Sequence, residues 1–242
     1  MAPLDDSRTS LDLKPSRHIR YRFFISPEDK LAVDLAFDPQ THRLRIPDDV
    51  ALPEWTRLEC NRCPNCTLAD EAGICPAAAG LASFLPAFDG RKSYEKAVVE
   101  VETSQRTIVA KTTLQSALAS LVGLVCATSG CPLTQFLRPM ARFHLPFADE
   151  QETLFRSFST WLLMAFIRRR MGGAEAVSLD GLKTAYQELQ VVNTHLAERL
   201  RVTATSDAAL NAVIILDLFA QIAPDNIDGE FEDIIEALTV DD

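Results

Sequence analysis

Four of the six cysteines in this 242-residue chain lie within sixteen residues, as Cys60-Asn-Arg-Cys63-Pro-Asn-Cys66 and, after eight residues, Cys75-Pro76. Thiolates this close converge when a cation offsets their repulsion or when disulfides join them. Disulfides are not expected. The start Met1-Ala-Pro-Leu-Asp-Asp-Ser-Arg lacks the basic and apolar runs of a secretory signal, and no uninterrupted apolar stretch reaches the ~20 residues that span a bilayer. The expected compartment is a reducing cytoplasm, where a C-x2-C cluster reads as a metal or redox site.

Zinc requires four soft or borderline ligands in a tetrahedron, and a Cys-Pro-x-Cys turn aims two thiolates at one centre, so Cys63 and Cys66 supply half a Zn²⁺ site. Cys75 supplies a third ligand, and the fourth comes from Cys131, Cys60 or Cys126. Cys131-Pro132 repeats the Cys75-Pro76 pair, and each places a cysteine before a proline suited to the first turn of a helix. An alternative set, Cys60, Cys63 and Cys66 with Cys75 or Cys131, has the C-x2-C-x2-C spacing that holds a [4Fe–4S] cluster. Cys126 falls in an apolar helical stretch, where a cysteine is expected as a small buried hydrophobe.

A second constellation follows in Leu137-Arg138-Pro139-Met140-Ala141-Arg142-Phe143-His144-Leu145-Pro146-Phe147, whose Arg138, Arg142 and His144 are candidates for one cleft or anion site. Nothing recommends His18, His42 or His195 as ligands. No catalytic residue is assigned, because no G-x-S-x-G, phosphate-cradling glycine loop, H-E-x-x-H or dinucleotide fingerprint occurs. The formal charge of −10 sits largely in the last nineteen residues, where eight acidic side chains meet no Lys or Arg. That balance disfavours nucleic acid as partner, and a protein partner is expected instead. The basic run Arg168-Arg169-Arg170 before Gly172-Gly173 reads as a helix C-terminus.

The elements that must position these residues divide the chain into four. Residues 1–16 read as a mobile arm. Residues 17–112 form an antiparallel β region: Ile19, Tyr21, Phe23 and Ile25 alternate with polar neighbours, as do Leu31, Val33, Leu35 and Phe37. An edge strand at 43–46, the cysteine loop, and strands at 97–103 and 106–112 follow. Residues 113–223 are helical, with a stripe from Leu114 to Val125 ended by Gly130 and a second through Leu154, Phe155, Phe158, Trp161, Leu162, Ala165 and Phe166. A third helix carries Leu182, Ala185, Leu189, Val192 and Leu196 at seam spacing, and a fourth, capped by Ser206, stops before Pro224. Residues 224–242 are an acidic amphipathic tail with a stripe of Phe231, Ile234, Ile235 and Leu238, which docks on the body or is offered to a partner's groove. The fold class is α+β, a small antiparallel sheet with a cysteine-rich loop followed by an α-helical half.

The lead-in Leu52-Pro53-Glu54-Trp55-Thr56-Arg57, the Cys-Pro-Asn-Cys turn and the stretch Ala127-Thr128-Ser129-Gly130-Cys131-Pro132 running into Phe136 to Phe147 resemble an uncharacterised bacterial protein family of unknown function. The resemblance spans roughly residues 18–170. It implies a ligand set of Cys63, Cys66, Cys75 and Cys131, a clamp between the loop and the helical half, and it carries no activity.

Overall fold

A computed structural model describes residues 17–174, 176–203, 207–229, 231, 234, 235 and 238. The expected arm at 1–16 and the Ser206 cap lie outside the described residues. Five strands, β1 (Arg17–Phe24), β2 (Lys30–Phe37), β3 (Leu44–Arg45), β4 (Lys96–Glu102) and β5 (Thr107–Thr113), form one antiparallel sheet in the order β3-β2-β1-β4-β5. Alternation sets its two faces. Ile19, Tyr21, Phe23, Val33, Leu35, Phe37, Ala97, Val99 and Val101 point into the core, with Tyr21 opposite both Val33 and Val101. On the other face Arg20 pairs with Asp34 across the strands, and Arg22 reaches Glu100 (3.0 Å) and Glu102 (3.3 Å).

Six helices accompany the sheet among the described residues: α1 (Pro76–Ala82), α2 (Leu114–Thr128), α3 (Arg138–Arg142), α4 (Glu150–Arg170), α5 (Asp180–Thr203) and α6 (Asp207–Asp228). The α+β class is as expected, although α1 already interrupts the β region. Beneath the sheet, α2 buries eleven of its fifteen residues. Leucine, valine and alanine cover nearly its whole circumference, so α2 lies between other elements and not at a surface. Gly80 lets α1 approach it: a Cβ there would stand 2.7 Å from Val125 Cγ1. Against the far side of α2 lies α6, which pairs with α5 along the expected seam of Leu182, Leu189, Val192 and Leu196, all buried.

α6 is long and apolar enough to cross a membrane by length and composition, yet it packs on both α2 and α5. No clear membrane span therefore exists among the described residues. The helix also runs through Pro224, where it was expected to stop. A proline lacks the N–H that would bond the carbonyl four residues back. Here the Ala220 carbonyl accepts instead from Gln190 Nε2 of α5 at 2.9 Å, so a neighbouring helix satisfies the group that proline orphans.

α4 opens on a reciprocal capping box between Asp149 and Glu152 and ends, as its basic last turn predicts, before Gly172 at φ +97°. Its expected stripe is only partly buried. Leu154, Phe158 and Ala165 face inward, whereas Phe155 and Phe166 are half exposed, together with Leu163 and Ile167. The stripe was drawn wider than the arc the body covers. Beyond α6, Phe231 meets the Phe158 ring edge-on at 5.8 Å and Ile234 is buried, while Ile235 and Leu238 are exposed. The described part of the tail stripe thus docks through its first two members.

Candidate functional site

The cysteine loop is an excursion closed at its neck. Arg57 bridges Ile74, the Leu58 amide donates to the Gly73 carbonyl (2.8 Å), and the Cys75 amide donates to the Thr56 carbonyl (2.8 Å). Gly73 turns the chain back at φ +64°, a conformation that favours glycine. Within the loop the Cys66 amide donates to the Cys63 carbonyl at 3.0 Å, forming the turn that Cys-Pro-Asn-Cys predicts. Cys75 stands at the N-cap of α1 with Pro76 in the first turn, as expected. The Cys131-Pro132 pair departs from that pattern. No α-helix begins there; a turn leads into a 3-10 turn at Gln135–Leu137. The amides of Leu133 and Thr134 nevertheless donate to the Cys131 sulfur and offset part of the rise that burial imposes on its thiol.

Three segments, the loop, the start of α1 and the turn after α2, bring Cys63, Cys66, Cys75 and Cys131 into one neighbourhood. The Cys63 thiol is pushed up to about 12, by burial first and then by the charges of Cys75 and Cys131, with Cys66 adding and Arg199 opposing. Cys75 and Cys66 act likewise on Cys131. The Arg62 guanidinium reaches the Cys66 sulfur and binds Asp70 and the Leu68 carbonyl. Cys126 is buried in α2, and burial drives its thiol far above the ordinary range, with smaller contributions from Cys131 and Cys75. All six cysteines are free thiols. Among the described residues no three His, Cys, Asp or Glu side chains stand in an arrangement that would hold a metal ion. The four sulfurs are electrostatic neighbours and not an assembled coordination sphere.

Two side chains, one of them inside the Cys-Pro-Asn-Cys turn, lash this loop to α5. Arg199, only 1% exposed, donates through Nη1 to the carbonyls of Trp55 (2.9 Å) and Arg57 (2.6 Å) and through Nη2 to that of Leu58 (3.1 Å). Asn65 Nδ2 donates to the Glu188 carbonyl at 3.1 Å. Arg199 occupies the next place in the seam series after Leu196, and a charge at a seam position was the signal for it.

Arg138, Arg142 and His144 do not share one cleft. Arg138 lines a shallow pocket with Trp161, Met164 and Arg168 of α4, and Arg142 is exposed. Both act with Arg17 on buried His42, a residue the sequence did not recommend, and burial combined with these cations holds its imidazole below the ordinary range. His144 instead faces β1, where the Tyr21 hydroxyl meets its Nε2 at 2.5 Å and Ser120 Oγ at 3.1 Å. Burial, then Arg156, Arg17 and His42, lowers the His144 pKa to about 3, and burial raises that of Tyr21 far above its usual value. Both groups stay neutral, and the imidazole tautomer sets which of them donates in the bond they share. Neither group titrates near neutrality, where a general acid or base works best, so the pair is a fixed internal hydrogen bond.

His144 also borders an open-sided pocket of about 340 Å³ lined by α2, by α3 and the segment after it, and by α4, α5 and α6. Gly123 and Cys126 of α2 form part of its wall.

No curated protein and no solved structure matches the chain. The model of a family described as a domain of unknown function, DUF6901, matches residues 19–238. The match runs well past the residue near 170 where the sequence resemblance ended, so α5, α6 and the start of the tail are inside the family pattern and not outside it. The chain belongs to this uncharacterised domain family.

Proposed function

We propose that the protein is a zinc-binding interaction module of a reducing compartment, in which Cys63, Cys66, Cys75 and Cys131 form a closed, mainly structural site. The observation that carries this reading is the convergence of these four thiols from the loop, the start of α1 and the turn after α2, where the charges of Cys75, Cys131 and Cys66 raise the Cys63 thiol and those of Cys75 and Cys66 raise that of Cys131. Burial first, and then the neighbouring thiols, keep Cys63 and Cys131 protonated. A divalent cation would displace the protons and draw the sulfurs to Zn–S distances of about 2.3 Å. The amides of Leu133 and Thr134 and the guanidiniums of Arg62 and Arg199 would share the remaining negative charge. A four-thiolate site leaves no open position for metal-centred catalysis.

The function then lies in contact with a protein partner. The surface of α4 suits it, because Phe155, Leu163, Phe166 and Ile167 are exposed along one side and Arg138 and Arg168 line the pocket beside them. Elemental analysis and an absorbance spectrum on protein purified without oxygen test the metal. About one zinc per chain with no visible absorbance supports the reading. Iron and sulfide with a broad band near ~400 nm, typical of thiolate-bound clusters, would replace it with an iron–sulfur redox protein. Metal-free protein that takes up no zinc would overturn both.

A further inference from the structure

α4 leaves one side uncovered along most of its length. Its inner side is closed by Leu154, Ser157, Phe158 and Ala165, all buried, and Phe158 receives Phe231 of the tail. On the opposite side Glu152, Phe155, Ser159, Leu163, Phe166 and Arg170 are exposed, with Ile167 and Met171 beside them. These positions advance by three or four residues and so form one stripe down a straight helix. Large apolar side chains grouped on one exposed face mark an interface. Ser159 is the polar member at the middle. Its hydroxyl donates back to the Phe155 carbonyl at 2.5 Å, so covering it strands no donor.

The ends of the stripe carry opposite charge. Glu152 lies in the first turn with Glu150, and Arg170 lies in the last with Arg168 and Arg169. Arg170 has no ionic partner among the described residues. Read along the helix, the order is acid, aromatic, serine, leucine, aromatic, base, and it complements itself when reversed. Two α4 helices laid antiparallel about a two-fold axis level with Trp161 place Glu152 of each copy against Arg170 of the other. Phe155 then meets Phe166 and Ile167, and Ser159 meets Leu163. Glu152 and Arg170 stand about 27 Å apart along the axis, at about 1.5 Å per residue, so the apolar centre and both charged ends fall within one straight contact. An isologous interface requires this self-complementarity, whereas a parallel pair would set like charges together.

We propose that α4 pairs with α4 of a second copy of this chain, antiparallel and two-fold, through Phe155, Leu163, Phe166 and Ile167, with Glu152–Arg170 ion pairs at both ends. This names the partner of the α4 surface and rests on that surface being an interface. It does not depend on the thiol site.

Sedimentation velocity of the full chain between about 2 and about 200 µM tests it. One helix pair covers less than the roughly 1,200 Å² of tight complexes, so a monomer–dimer equilibrium with a dissociation constant on the order of 10 µM is expected. Arg170→Glu and Glu152→Arg should each weaken self-association at least about tenfold, because each sets like charges together at both ends of the pair. An equimolar mixture of the two variants should recover it, since every end then joins a carboxylate to a guanidinium. Glu152 also closes the capping box. If Glu152→Arg fails to fold, Leu163→Glu replaces it: two carboxylates beside the axis should give a monomer with unchanged helical circular dichroism. A chain that stays monomeric at about 200 µM, variants that associate as tightly as the unaltered chain, or a mixture of folded variants that recovers nothing would overturn the pairing. So would a monomer that sediments with vesicles of anionic phospholipid, which would give the face to a membrane. Zinc content is measured on the same samples. A zinc-loaded monomer overturns the pairing alone, and a metal-free dimer overturns the thiol reading alone.

Discussion

The five-stranded sheet and the cysteine loop are held by opposite means. The sheet buries a continuous apolar face against α2, and its outer ion pairs are decoration, since exposed pairs contribute about 0–1 kcal/mol. The loop at 57–74 has little core of its own. Its neck bonds, Arg199, Asn65 and the four thiols hold it, all of them polar or charge-dependent. One region therefore answers to volume and the other to charge.

Removing a thiol should break this contrast most widely. Cys131→Ser is expected to lower zinc affinity by at least about 100-fold and to open the loop to protease, with the sheet's circular dichroism unchanged, whereas Cys126→Ser changes metal content little. Equal metal loss in both would show that the ligand choice is wrong. Next, Leu118→Ala, a fully buried side chain of α2, should cost about 2–5 kcal/mol in denaturant unfolding while folded protein keeps its metal. Arg199→Met should cost about 2–3 kcal/mol, since three carbonyls lose a charged donor. Here loop proteolysis should rise before global unfolding, and simultaneous loss of both would merge the two regions into one cooperative unit.

The fourth prediction concerns pH. His144 has its folded pKa lowered to about 3 from an ordinary 6.5, so its neutral form contributes stability that is complete above pH ~6.5 and lost as pH falls toward 3. Thermal unfolding midpoints should drop across that window, and His144→Gln should flatten the drop. The smallest effect is expected at the sheet surface, where Asp34→Asn should stay within about 1 kcal/mol.

The alternation around Tyr21 and Val33 and the seam from Leu182 to Leu196 were legible because burial imposes a period on sequence. The thiol cluster was legible as spacing, though the turn at Cys131 was not, since Cys-Pro serves a helix start and a tight turn equally well. The misplacement of His144 relative to Arg138 and Arg142 has a similar origin: the two arginines stand one turn apart on α3, whereas His144 lies beyond its end and turns to Tyr21. The pocket beside His144 left no pattern, because a space among α2, α4, α5 and α6 depends on what each fails to fill. The continuation of the α6 pattern through Pro224 depended on Gln190, a residue of another helix.

Arg199 has a consequence for the order of events at the ribosome. It binds carbonyls of residues made more than 140 positions earlier. When the loop's own thiols emerge, neither Cys131 nor the guanidinium that ties down the neck has been synthesised. A nascent chain thus displays Cys63, Cys66 and Cys75 as an unfinished clasp, and its closure marks the moment when nearly the whole domain has been translated.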